Sequence, residues 1–252
     1  MIDPVLILAA SVLMMMGGTL KGLLGVGLPM VAIPGLTFFF GLPQALAMVS
    51  IPVAAANLWQ VWKFRQAISS VRTLVPFILA GAVGTAIGTL ILASVDEVWL
   101  ETTLAIMLLG YVVLGIAKPD LSLDAIRAAK IAVPGGLAAG LLHGATGISG
   151  PIAITFFHAQ RLRREGFILA TGSVFLGFTL VQIPMLGATG ILSAEAVLIG
   201  AIGLPAVALG LWLGNRLANY VDAALFDKLV LAVLGWTALA LIWRAWGSLI
   251  FG

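Results

Sequence analysis

Residues 73–93 run through Leu, Val, Ile, Phe, Ala and Gly without one charged side chain, and the chain repeats this habit along its length. Apolar runs cover 4–24, 28–41, 44–62, 73–93, 97–117, 131–146, 150–160, 166–186, 195–215 and 225–246, divided by Gly, Pro and charge. A helix needs about 20 residues, at 1.5 Å rise, to cross a bilayer. The runs 44–62, 73–93, 97–117, 166–186, 195–215 and 225–246 meet that length. The runs 28–41 and 150–160 reach only about 21 and 16 Å, and each follows a Gly-rich break. We read 4–41 and 131–160 as helical hairpins whose tips are buried at membrane depth.

Composition excludes the other classes. Hydrophobic residues make up 62% and charged residues 9%, against about 45–50% and 25% in soluble domains. So few charges cannot cover a soluble surface, which rules out a soluble enzyme, a disordered chain and a fibre. The expected fold is an all-α polytopic membrane protein. With no cysteine there is no disulfide framework, thiolate metal site or cysteine chemistry. The start, Met1-Ile2-Asp3-Pro4, lacks the basic n-region of a cleavable signal. The net charge of +3 is scattered over short loops, so no nucleic-acid partner is expected.

The basic residues orient the chain. Lys63, Arg65 and Arg72, then Lys118, Arg127 and Lys130, then Arg161, Arg163 and Arg164, and finally Arg216 and Lys228 all fall in loops that can share one side. Those eleven of thirteen Lys and Arg residues mark that side as cytoplasmic. Asp3, Asp96, Glu97, Glu101 and Glu195 fall opposite, with Arg244, so both termini are expected outside. Trp59, Trp62, Trp99, Trp212, Trp243 and Trp246 stand near span ends as interfacial belts; Trp236 does not fit.

The chain also contains itself twice. Gly18, Gly22, Gly25 and Pro29 recur 122 residues later as Gly140, Gly144, Gly147 and Pro151. More weakly, Gly84, Gly88 and Asp96 recur as Gly210, Gly214 and Asp222. With the charge pattern, span 44–62 enters the cytoplasm while its partner 166–186 leaves it, so the halves are inverted. The first repeat is 1–117 (hairpin 4–41, helices 44–62, 73–93 and 97–117). A cytoplasmic linker follows at 118–130, then the second repeat at 131–252 (hairpin 131–160, helices 166–186, 195–215 and 225–246). Inverted repeats with interrupted helices characterise secondary transporters, whose sites lie at the repeat interface.

The breaks supply the chemistry. Gly25, Gly27, Gly147 and Gly150 permit tight turning. Pro29 and Pro151 suit the first position of a helix. Helix starts with unpaired N–H groups favour anions, so two of them meeting would form an anion site. Lys21 and His143 hold equivalent positions in apolar surroundings, where an ionisable residue points to function. Lys21 could instead snorkel to the cytoplasmic surface, and His143 could be a neutral hydrogen-bonded imidazole. Asn57 and Gln60 share one helix face, as do Thr171, Thr179 and Gln182; interhelical glue is the alternative. Thr146 and Ser149 complete the second break. No Asp or Glu falls within the middle of a span, so a coupled proton would use His143. No nucleotide-binding loop and no cofactor are expected.

The paired segments Lys21 to Pro29 and His143 to Pro151, one per half of a membrane chain of this size, resemble the TauE/SafE family, also called the toluene-sulfonate uptake permease family. That resemblance implies a transporter of sulfite, sulfoacetate or related sulfur anions in the bacterial inner membrane. The family often carries three successive glycines where this chain has Gly27-Leu28 and Ser149-Gly150. The expected partners are a small anion and the bilayer, with a homodimer left open. A rival is a rhomboid-like intramembrane serine protease, since Gly147-Ile148-Ser149-Gly150 fits GxSG. Against it, no histidine follows His158 to act as the base. A membrane scaffold is a third reading, one that needs no polar groups at the breaks.

Overall fold

The computed structural model describes residues 3–70, 72–117, 122–218, 220, 231–232, 234–243 and 245–246. Among them there are helices and turns and no strand. The helices are α1 (Pro4–Leu24), α2 (Leu28–Phe40), α3 (Leu42–Phe64), α4 (Leu74–Ser94), α5 (Glu97–Ala117), α6 (Ala125–Thr146), α7 (Gly150–Ala159), α8 (Arg164–Ala188) and α9 (Ala194–Leu217). A further helical stretch, α10, runs over Leu234–Trp243. A short 3-10 helix, Arg65–Ser70, follows α3.

Among the described residues seven helices are long and apolar enough to cross a membrane, the hairpin arms α1 and α6 included. α6 begins six residues before the apolar run at 131, because the Asp124 side chain accepts from Arg127 N–H at 2.8 Å and starts the helix early. The expected span 225–246 falls only partly on described residues. Lys118, Asp222, Lys228, Arg244 and the chain's C-terminus lie outside them.

Capping follows ordinary rules. Asp3 accepts from Val5 N–H ahead of Pro4, and Ser193 accepts from Ala196 N–H ahead of α9. Glu97 at the start of α5 accepts from Leu42 N–H at 3.0 Å, placing a carboxylate on the N-terminus of α3, where the helix dipole favours it. Large apolar side chains such as Val5, Leu79, Ile106 and Val113 are exposed, as expected of surface that faces lipid.

Small residues set the packing. A Cβ on Gly84 or Gly88 of α4 would collide with the carbonyl oxygens of Leu137 and Leu141 on α6. A Cβ on Gly210 or Gly214 of α9 would collide with those of Met15 and Thr19 on α1. The same contact pattern thus occurs twice, once between α4 and α6 and once between α9 and α1. Both pairs are parallel. α1 and α9 run toward the end that carries Lys63, Arg163 and Arg164, where Lys21 and Asn215 share a cavity with them. α4 and α6 run away from it, since Thr73, at the start of α4, donates to Gln160 Oε1 beside Arg161. Close backbone approach of this kind is the usual glue of membrane helices. Central α3 and α8 hold the most buried polar groups, including Asn57, Gln60, Thr179 and Gln182.

Tryptophans mark both ends. Trp99 packs edge-on against Trp246, whose indole N–H donates to Thr102 at 2.8 Å. Trp59, Trp62 and Trp212 stand at the basic end, stacked by Lys63, Arg65 and Arg216. Trp236 is exposed on α10.

Candidate functional site

α1 ends where Gly25 turns left-handed (φ 82°) and donates its N–H to Lys21 O at 2.8 Å. Gly27 is also left-handed (φ 114°), and a Cβ there would press on Leu20. α2 then starts at Leu28-Pro29 without a side-chain cap. The last turn of α1 points Lys21 inward, where it is only 2% exposed. Its ammonium donates to Asn57 Oδ1 and to Gln60 Oε1, each at 2.7 Å. Gln60 Nε2 in turn donates to Gly25 O at 2.7 Å, so one amide binds both the lysine and the break. An ammonium has three N–H donors. Two meet neutral amide oxygens, and neither partner is a carboxylate.

A cavity of about 430 Å³ leads to this cluster. Buried Lys21 and Gln60 line one part of it, and exposed Lys63, Arg163 and Arg164 another, with Asn215 on the wall. Among the described residues, Glu165 is its one acidic lining residue. This vestibule opens at the basic end.

The second break is built alike. Gly147 (φ 72°) ends α6 and donates its N–H to His143 O at 2.7 Å. Ser149 precedes α7 and makes no cap. Thr146 Oγ1 donates to Leu142 O and accepts from Ile148 N–H at 3.3 Å, closing the loop on itself. His143 is 2% exposed. Its Nδ1 lies 3.4 Å from Ser149 Oγ and its Nε2 3.5 Å from Thr179 Oγ1. Thr179 already donates its one hydroxyl hydrogen to Phe175 O, so it can only accept from the ring. That points to the Nε2–H tautomer, with Nδ1 accepting from Ser149. Gln182 Nε2 donates to His143 O at 3.0 Å and Gly144 O at 3.3 Å. The space between His143, Thr179, Gln182, Ser50 and Pro29 is about 10 Å³, room for about one water.

The two clusters correspond residue by residue. Lys21, Gly25, Asn57 and Gln60 stand 122 positions before His143, Gly147, Thr179 and Gln182. In each, Lys21 or His143 meets a polar side chain of the facing helix, Asn57 or Thr179, and the glutamine one turn on binds carbonyls at the break. The breaks also meet each other. A Cβ on Gly150 would lie 3.2 Å from the Met30 methyl, so the starts of α7 and α2 are adjacent.

Not every expected residue joins a cluster. Gly27 and Thr146 shape their loops, and Thr171 bonds only to carbonyls of its own helix. The vestibule adds Arg163, Arg164 and Asn215, which sequence reasoning had treated as loop charge or not at all. Ser50 was missed too, although it lies seven residues before Asn57, on the same helical face.

A family model described as "Sulfite exporter TauE/SafE" matches residues 10–241. The chain belongs to the TauE/SafE family. The matched stretch takes in both breaks and every residue of both clusters. TauE/SafE proteins form a membrane transporter family for sulfite and other sulfur compounds, which sets the coarse class of this member. No curated protein and no solved structure matches it significantly.

Proposed function

We propose that this TauE/SafE protein is a secondary transporter that moves a small anion across the bacterial inner membrane by alternating access. The anion is an organosulfonate or sulfur oxyanion, such as sulfoacetate or sulfite. The observation that carries this reading is Lys21, a buried amine held, among the described residues, by two amide oxygens and no carboxylate, beside a vestibule rimmed by Lys63, Arg163 and Arg164. A buried charge without a counter-ion is costly, and an arriving anion supplies one. The adjacent starts of α2 and α7 add backbone N–H groups of the right polarity. The oppositely directed pairs α1/α9 and α4/α6, with their twice-used contact pattern, support two inverted halves that rock about α3 and α8. The basic end is then cytoplasmic, and the structure is a state open inward, with the His143 cluster sealed.

A second reading draws on the Ser149–His143 contact, which has the look of a nucleophile and its base. Burial argues against hydrolysis, because Ser149 is 1% and His143 2% exposed, and the space against His143, about 10 Å³, admits no peptide. Purified protein should be stabilised against heat by millimolar sulfoacetate or sulfite, as mass action requires of a ligand for the folded state, and not by equal acetate. Absence of stabilisation and of binding by any sulfur anion would overturn the transporter reading.

A further inference from the structure

Between α3 and α9 a second groove, of about 730 Å³, faces outward. Pro52, Ala55, Leu204 and Ala208 wall its apolar part. At the basic end it finishes in Lys63 and Arg216. Each cation stacks on a tryptophan that also lines the groove, Lys63 Nζ 4.7 Å from the Trp59 ring and the Arg216 guanidinium 4.6 Å from the Trp212 ring. From Pro52 to Lys63, and from Leu204 to Arg216, the helices rise about 16–18 Å. That is about half of a 30 Å hydrocarbon core, or one leaflet.

We infer that this groove is a binding site for an anionic phospholipid of the leaflet at the basic end, the acyl chain lying along Ala55 and Ala208 and the phosphodiester against Lys63 and Arg216. Charge complementarity selects the occupant. An apolar groove one leaflet deep that ends in two cations between two tryptophans matches a lipid of negative headgroup. A second copy of the chain fits worse, because a two-fold interface would bring the cationic ends of two identical grooves into one contact. Trp59, Lys63, Leu211 and Asn215 line both the groove and the vestibule, so the headgroup stands at the side wall of the vestibule.

Native mass spectrometry of the detergent-purified chain, titrated with phosphatidylglycerol or phosphatidylcholine and no transport substrate, tests this independently of the transport reading. Phosphatidylglycerol should bind more tightly than phosphatidylcholine. Arg216→Gln should weaken phosphatidylglycerol about fivefold, the worth of one basic residue near an anionic headgroup, and leave phosphatidylcholine unchanged. Arg216→Lys should restore most of the difference, and Arg127→Gln, at the exposed start of α6, should have no effect. Ala208→Trp, which fills the apolar part, should remove both lipids while the fold, followed by circular dichroism, persists. Equal affinity for the two lipids overturns the inference. So does unchanged phosphatidylglycerol binding in a folded Ala208→Trp variant, or a dimer that excludes lipid.

Discussion

Lys21 and Gln60 are joined by a 2.7 Å hydrogen bond that runs from the last turn of α1 to the last turns of α3. The same Gln60 donates to Gly25 O, so charge, break and central helix form one unit. Anything that binds Lys21 therefore also bears on the position of the break.

Lys21→Met keeps most of the stem and removes the charge. Losing a charge-assisted hydrogen bond to a buried anion costs about 1.5–3 kcal/mol, or about ten- to a hundredfold in affinity. Lys21→Arg should also bind poorly, since the planar guanidinium cannot reproduce the point-like ammonium between Asn57 and Gln60. Calorimetry on folded, purified variants measures both. Parent-like affinity in Lys21→Met would take Lys21 out of the site.

The glycines divide by what surrounds them. Gly140→Ala drives a methyl into the carbonyl of Gly81, a backbone atom that cannot rotate aside. Gly27→Ala meets both Leu20 and a left-handed backbone, whose strain is of order 1–3 kcal/mol. Gly187 and Gly110 have nothing within 4 Å, and alanine there should be neutral or stabilise by up to about 1 kcal/mol. Thermal unfolding in detergent should rank Gly140→Ala and Gly27→Ala well below the parent, and Gly187→Ala and Gly110→Ala level with it or slightly above.

Much of this was legible beforehand because apolar length and glycine spacing are local signals. The runs 73–93 and 97–117 became α4 and α5 almost unchanged, and polar residues within apolar stretches, Lys21, Asn57, Gln60 and His143, became the clusters. What stayed hidden was tertiary or amphipathic. Arg163 and Arg164 read as loop charge, yet packing of α8 against α3, whose Gln60 holds Lys21, brings them into the vestibule with that lysine. The first turns of α6 carry Arg127 and Lys130, so they read as linker until the Asp124 cap is seen. Glu101, read as an external charge, is buried on α5. The groove between α3 and α9 needs both helices at once, and no single run of sequence shows it.

Sidedness is open to direct chemistry, because the chain has no cysteine of its own. Gln66→Cys and Arg161→Cys lie at the basic end; Asp96→Cys and Gly190→Cys lie at turns on the other. An impermeant maleimide applied to intact cells should spare the first pair and label the second. Labelling of Gln66→Cys and Arg161→Cys from opposite faces would sink the inverted arrangement.

Ser149 separates the transporter from the protease. In a transporter its hydroxyl makes one long contact, 3.4 Å to His143 Nδ1, and the anion is held by Lys21, the amides and backbone N–H groups. Deleting a neutral hydrogen bond of this kind costs about 0.5–1.5 kcal/mol, so Ser149→Ala should lose less than about tenfold in affinity and keep substantial transport in proteoliposomes. In a protease the same oxygen forms the covalent intermediate, and its removal abolishes turnover. A serine-directed fluorophosphonate adds a second readout. It requires a hydroxyl that is both activated and reachable, whereas Ser149 is buried. The parent protein should remain unlabelled and Ser149→Ala should still transport; stoichiometric labelling at Ser149, lost in the alanine variant together with all activity, would reverse the assignment of class.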